Sequence, residues 1–214
     1  MADRIPRSGR ITNGFYMASF GFVCMYLLET SDGIVAFDAG LRAAGLRARL
    51  AELGLNPAKV RHAFLTHSDS DHVGGLAALT KATVYLPSRE TSMLDRSTPR
   101  FFSFIFNKPF GRDYVTIEDN QLLSIGGASI RCLSTPGHTA GHMSYLVNDS
   151  LLIVGDILNL ADGKAVMDRN FINIDNIARR ESLRRLAAIR GVSMICPMHS
   201  AYTTDAERAM RDWV

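Results

Sequence analysis

Cysteine is scarce in this chain: Cys24, Cys132 and Cys196 are the three in 214 residues, odd in number and far apart. That excludes a disulfide framework and a thiolate zinc finger, and reads as buried free thiols in a reducing compartment. An excess of charge of one sign is equally lacking. A formal net charge of +3 gives no electrostatic footprint for nucleic acid. Arg4, Arg7 and Arg10, and later Arg179, Arg180, Arg184 and Arg185, have no aromatic platform interleaved and read as solvated faces. No apolar run approaches the roughly 20 residues of a membrane span. The opening Met-Ala-Asp-Arg-Ile-Pro-Arg-Ser-Gly-Arg lacks the apolar core of a signal peptide. The expected setting is therefore cytoplasmic, with no membrane and no nucleic acid among the partners. What remains is an ordinary balance, 47% apolar and 21% charged, long enough for one domain or two fused half-domains around a layered core.

The densest chemistry lies in Thr66-His67-Ser68-Asp69-Ser70-Asp71-His72-Val73-Gly74-Gly75, where four residues able to bind metal fall within six positions. Ala63-Phe64-Leu65 before it suits a buried strand, and Gly74-Gly75-Leu76-Ala77-Ala78-Leu79 after it reads as a turn entering a helix at about 75–80. Residues two apart in extended backbone point the same way. His67 and Asp69 can then grip one ion while the turning chain aims Asp71 and His72 at another.

Taken in order, Phe22 to Glu29 and Ile34 to Phe37 are strand-like runs around the hairpin signal Ser31-Asp32-Gly33, and the second stops at Asp38. Leu41 to Leu53 has helical spacing with Gly54 as its stop. Strands follow at 62–66 and 83–86. A second half repeats the plan. Ile130 to Leu133 runs into Thr135-Pro136-Gly137-His138-Thr139-Ala140-Gly141-His142, and a hairpin around Asn148-Asp149 ends at Asp156. Ile174 to Arg190 reads as an amphipathic helix with Ile177, Leu183, Leu186 and Ile189 inward and its arginines outward. Ser193 to Met198 is a buried strand delivering His199, and Thr204-Asp205-Ala206-Glu207 has capping-box form.

The order His-x-Asp-x-Asp-His, then Pro-Gly-His-Thr-x-Gly-His, then Gly-Asp, then a late His resembles the metallo-β-lactamase-fold hydrolase superfamily, glyoxalase II and lactonases included, over nearly the whole chain. The resemblance implies an α/β fold, a four-layer αββα sandwich of two mixed β-sheets flanked by helices. It also implies a single domain over residues 1–214 with related halves at about 1–115 and 116–214. Carried over by position, His67, Asp69 and His138 would hold one divalent metal, and Asp71, His72 and His199 a second. Asp156 would bridge the two, and Asp38 would support them from behind. His142 and His62 are assigned structural places. Where Asp69 stands the commoner pattern has histidine. The extra carboxylate favours harder ions, so iron or manganese joins zinc as a candidate, and a single-metal alternative stays open. The implied mechanism is attack by a metal-bridging hydroxide, with Asp71 and Asp156 as the catalytic carboxylates.

Arg100 to Phe110 carries five phenylalanines. Phe101, Phe102, Phe104 and Phe106 are expected to wall the site and favour an apolar acyl group, or else to serve a homodimer contact or plug the core. Tyr145 and Tyr202, each near a metal-ligand segment, read as packed tyrosines, with substrate or oxyanion contacts as the alternative. The expected reaction on a small-molecule substrate is hydrolysis of an ester, thioester or lactone. Phosphoryl hydrolysis with Arg100, Lys108 and Arg112 as anion contacts is the alternative, and a metal-dependent sensor or iron redox protein the third reading.

Overall fold

The computed structural model describes residues 1–100, 104–167 and 170–214. Seven strands form the first sheet in sequential order: β1 (Gly9–Thr12), β2 (Phe15–Ser19), β3 (Cys24–Thr30), β4 (Gly33–Phe37), β5 (Val60–Phe64), β6 (Thr83–Pro87) and β7 (Val115–Ile117). Neighbours run antiparallel as far as β4 and parallel from β4 to β7. The remaining strands are β8 (Leu122–Ile125), β9 (Ala128–Ser134), β10 (Met143–Val147), β11 (Leu151–Gly155), the small hairpin β12 (Asn159–Ala161) and β13 (Lys164–Val166), and β14 (Met194–Pro197). The second sheet has the order β14-β11-β10-β9-β8, its β11–β14 pair parallel and the others antiparallel. The helices are α1 (Ala43–Glu52), α2 (Ser70–Val73), α3 (Thr91–Leu94), α4 (Asn176–Ala187) and α5 (Ala206–Met210).

Continuous apolar runs such as Val35-Ala36-Phe37 suit strands covered on both faces, and three cores follow from that. Between the sheets, Phe15, Tyr26, Phe37 and Phe64 meet Ile130, Cys132, Tyr145 and Ile153. The outer face of the first sheet packs Leu27, Ala36 and Leu65 with Leu46 and Leu50 of α1. The outer face of the second places Leu146, Leu152 and Ile195 with Leu183 and Leu186 of α4 and with Ala209 and Met210 of α5. This is the αββα order expected from the sequence. β3–β4 and β10–β11 are antiparallel hairpins, each flanked by a parallel strand, β5 or β14. Asp38 directly follows β4, and Asp156 directly follows β11. All three cysteines are buried free thiols, and burial pushes Cys24 and Cys132 up to about 12. Among the described residues no helix is long and apolar enough to cross a membrane.

Several local expectations need correction. In place of a helix over 75–80, the chain coils earlier, in α2, and then makes a single 3₁₀ turn at Leu76–Ala78. Gly74 and Gly75 press onto the backbone that follows β4, where an added Cβ would lie 2.0 Å from Leu41 O and 1.9 Å from Ala39 O. That close approach interrupts the helix. In α4, Ile177 is 74% exposed while Arg179 is buried, its Nε–H donating to Ile157 O at 2.8 Å and its Nη2–H to Asp156 O at 3.2 Å. Apolarity misjudged this face because an arginine stem can lie in a core when its guanidinium reaches backbone carbonyls. The cap of α5 is Asp205, which accepts from Arg208 N at 3.1 Å, one residue after the expected Thr204.

Candidate metal centre

The ligand candidates converge. Strand ends carry them to one rim: His67 follows β5, Asp71 and His72 lie on α2, His138 and His142 precede β10, and His199 follows β14. Donor atoms of His67, Asp69 and His138 lie within 4.8 Å of one another, as do those of His67, His72 and Asp156, and those of Asp71, His72 and His199. Asp156 stands in the middle, 3.1 Å from His199 Nε2, 3.5 Å from His72 Nε2 and 3.5 Å from His138 Nε2.

Each imidazole is turned so that Nδ1 faces away and Nε2 faces the centre. His72 Nδ1 meets Asp38 Oδ2 at 2.7 Å, and His199 Nδ1 meets the Phe22 carbonyl at 2.7 Å. His138 Nδ1 lies 2.8 Å from Asn173 Oδ1. His67 Nδ1 lies 2.9 Å from Thr66 Oγ1, whose own proton goes to Asp38 Oδ2 at 2.8 Å. An acceptor facing Nδ1 holds a proton there, so Nε2 is the nitrogen that offers a lone pair to the centre once the ring is neutral. His67 Nε2, His72 Nε2 and Asp156 Oδ1 are fully buried with no hydrogen-bond partner among the described residues. Buried polar atoms left without hydrogen bonds around one point are costly unless a cation completes them, so this donor set fits a divalent ion.

Electrostatics agree. Burial favours neutral imidazole, but the Asp156 charge overrides it, holding His72 well above the usual histidine range and His199 up at about 10. Burial raises Asp156 and Asp69, and the surrounding histidines outweigh it and hold both well below the usual carboxylate range. Burial lowers His138 and His142. His142 accepts the Asp156 N–H at 3.0 Å and contacts Thr135 Oγ1 at 2.9 Å, the structural place assigned from sequence. Gly155 beside it has φ +59, and an added Cβ there would meet His142 Nε2 at 2.4 Å. His62 is remote from the centre, 3.2 Å from Tyr85 Oη.

Supports that sequence reading missed complete the frame. Fully buried Glu90 accepts from Ser68 N at 2.8 Å and Ser68 Oγ at 2.5 Å on one ligand loop, and from Thr139 Oγ1 and Gly141 N on the other. No local pattern marks it, because its partners are 22 and 51 residues away. Arg100, expected as an anion contact, and Asn107 instead reach Asp69 from the phenylalanine-rich segment.

A cavity of about 730 Å³ opens over the centre, with Phe22, Leu41, Phe106, Phe110 and Ile172 as apolar walls and Asp69, Asp71, Asp156, His138 and His199 in its lining. Phe106 is where the expectation put it. Phe104 is 73% exposed and absent from the wall, and Phe101 and Phe102 lie outside the described residues. Neither tyrosine is a wall residue. Tyr202 packs against the core between the sheets, and Tyr145 is fully buried there, its hydroxyl donating to the Leu65 carbonyl. An inward position on β10 buries the ring, and the phenol settles an otherwise unpaired carbonyl. Tyr145→Phe is accordingly expected to cost about 1 kcal/mol, a fall in Tm of about 2–4 °C, with kcat/KM unchanged; calorimetry beside steady-state kinetics checks it.

A family model described as the metallo-beta-lactamase superfamily matches residues 18–199. The probable polyketide biosynthesis zinc-dependent hydrolase PksB of Bacillus subtilis (strain 168) is 32% identical over 131 residues, 59% of this chain and 51% of that protein. A hydroxyacylglutathione hydrolase of Shewanella sp. (strain ANA-3) is 36% identical over 94 residues, 44% of this chain and 33% of that protein. The chain thus spans about half of the first relative and a third of the second. A solved B3 metallo-beta-lactamase with an active-site glutamic acid superposes with a TM-score of 0.76 at 22% identity, covering 98% of this chain and 88% of that one, a likeness of fold. With the family pattern matched from β2 to His199 on an αββα frame, this chain belongs to the metallo-beta-lactamase superfamily.

Proposed function

We propose that this chain is a metal-dependent hydrolase that opens an ester, thioester or lactone bond, using zinc held by residues among His67, Asp69, Asp71, His72, His138, Asp156 and His199. One observation carries the reading: four imidazoles locked with Nε2 toward a shared carboxylate, at the floor of a cavity with apolar walls. A volume of about 730 Å³ suits a small molecule. Zinc and acyl chemistry both occur in the names of the relatives. Two repeats of hairpin plus parallel strand support a single domain of related halves.

A bound divalent ion supplies Lewis acidity and lowers the pKa of water toward about 7. The chain supplies the rest. Asp71 Oδ2, 3.4 Å from His199 Nε2 and partly exposed to the cavity, is placed to orient the attacking water and take its proton. Asp38, Thr66, Asn173 and the Phe22 carbonyl keep the imidazoles from turning. Phe22 and Phe106 shield the reacting bond from bulk water and receive the apolar part of the substrate.

The phosphoryl alternative loses two of its three cations. Arg112 is spent on the carbonyls of Leu76, Leu79 and Ala82, and Arg100 on Asp69, which leaves Lys108 at the cavity mouth. The same Arg100 contact neutralises Asp69 and removes the charge argument for iron or manganese. A panel of acyl esters, thioesters, lactones and phosphodiesters on zinc-loaded protein tests the reading. Turnover of acyl substrates is expected, and activity confined to phosphodiesters would overturn it.

Metal uptake should also release protons. In the metal-free protein at pH 7, His72 and His199 are held protonated, and binding needs both lone pairs. About two protons per ion are expected to appear in weakly buffered solution, and zinc affinity should rise with pH toward about 10, the His199 value. Calorimetry in buffers of differing ionisation enthalpy measures both.

A further inference from the structure

We propose that Arg100 is the resident cation of the His67–Asp69–His138 corner, so that the protein holds one divalent ion, at Asp71, His72, Asp156 and His199, rather than two. The inference rests on the metal-dependent reading above and concerns how the same centre is filled.

Arg100 is 4% exposed and lines the cavity. Its Nε–H lies 2.8 Å from Asp69 Oδ1 and 2.9 Å from Oδ2, and its Nη2–H 2.7 Å from Oδ2. Nη1–H donates to Ile172 O at 2.8 Å, which anchors the guanidinium from the opposite side. Nη2 also lies 3.0 Å from His138 Nε2. Because His138 Nδ1 already faces Asn173 Oδ1, Nε2 is the acceptor in that contact. An imidazole nitrogen has one in-plane lone pair and cannot give it to a guanidinium N–H and a metal together. Asp69 is likewise saturated, since Asn107 Nδ2–H adds a contact to Oδ1 at 2.9 Å.

The other half of the centre contrasts with this. His72 Nε2 and Asp156 Oδ1 are orphaned, and the neighbours of Asp71 and His199 there are members of the same ligand set. Of the two corner imidazoles, His67 alone keeps an Nε2 with no hydrogen-bond partner among the described residues, 3.5 Å from Asp69 Oδ2. The corner therefore already has its positive charge, delivered by a planar donor that fits a carboxylate in two-point fashion. A dication entering beside it would have to displace the guanidinium or bear its repulsion at close range. The carboxylate at Asp69, where the commoner ligand pattern has histidine, is thus matched by an arginine that pairs with it.

Zinc content after dialysis against metal-free buffer, with cobalt(II) titration followed by its visible ligand-field bands, tests this. The wild type is expected to retain one zinc and to saturate at one cobalt equivalent. Arg100→Met, which removes the charge and keeps the stem, is expected to take two, and Arg100→Lys, which keeps a charge, to stay at one. Circular dichroism confirms that each variant is folded. Should Arg100→Met not fold, the wild-type stoichiometry and Arg100→Lys still decide the matter. Two tightly held ions in the wild type, or one in folded Arg100→Met, would overturn the assignment and leave the hydrolase reading standing. No metal in any form of the protein would sink both.

Discussion

Asp156→Asn is expected to lower zinc affinity by about 10²–10³-fold and to take activity down with it. The carboxylate lies 3.1 Å from His199 Nε2, 3.5 Å from His72 Nε2 and 3.5 Å from His138 Nε2, with a side chain 6% exposed. Removing one member of a buried charged set costs about 3–5 kcal/mol because its partners stay buried without compensation; each 1.4 kcal/mol is a tenfold change in binding. The asparagine is isosteric, so the loss reports charge and not shape. A second readout needs no metal. Asp156 is the group that lifts His199 to about 10, so in the metal-free variant that imidazole should titrate much nearer the ordinary histidine value of about 6.5. NMR of the imidazole protons follows it. Unchanged zinc content together with an unchanged His199 titration would remove Asp156 from the centre.

How much of this was legible in the sequence depends on the reach of each signal. Ligands carried by short, dense motifs were found, because His67 to His72 and Pro136 to His142 fix their own spacing. Asp156 and His199 were found because each ends an apolar run, and strand ends of a layered fold collect at one rim. Groups that act across the fold were not. Glu90 is tied to loops on either side of it, and no periodicity predicts such a partner. Arg100 sits at the head of a phenylalanine-rich run that drew attention to its rings, yet among the described residues only Phe106 and Phe110 of these line the cavity, while the guanidinium and Asn107 hold Asp69. Tyr145 was left between packing and substrate contact because closeness to a ligand loop in sequence says nothing about which face of the strand a ring occupies. A period of two decides that, and on β10 it turns Tyr145 toward Phe37 and Phe64. Arg179 and Ile177 exchanged expected places for a related reason: the side chain that can reach the carbonyls of Asp156 and Ile157 claims the buried position.

Asp38→Asn should reduce zinc affinity by about 10–100-fold while the fold survives, and the cause lies two bonds behind the ligands. Asp38 is fully buried and has φ +65, a conformation that asparagine also tolerates. Its Oδ1 accepts from Thr66 N at 2.7 Å, and its Oδ2 takes both the Thr66 hydroxyl at 2.8 Å and His72 Nδ1–H at 2.7 Å. With asparagine the amide oxygen can keep the Thr66 N–H, which leaves an NH₂ facing two groups that previously donated. Both must then become acceptors. His72 moves its proton to Nε2, placing an N–H where the metal needs a lone pair. The Thr66 hydroxyl, now accepting from the amide, turns its own proton toward His67 Nδ1 at 2.9 Å and drives the same exchange there. One carboxylate oxygen thus sets the tautomer of two ligands on separate elements. Nitrogen-15 NMR of the metal-free variant, taken at a pH high enough for both rings to be neutral, should show each imidazole protonated at Nε2 and unprotonated at Nδ1. Tautomers unchanged from wild type, alongside full zinc affinity, would show that Asp38 braces the loop without governing which nitrogen faces the ion.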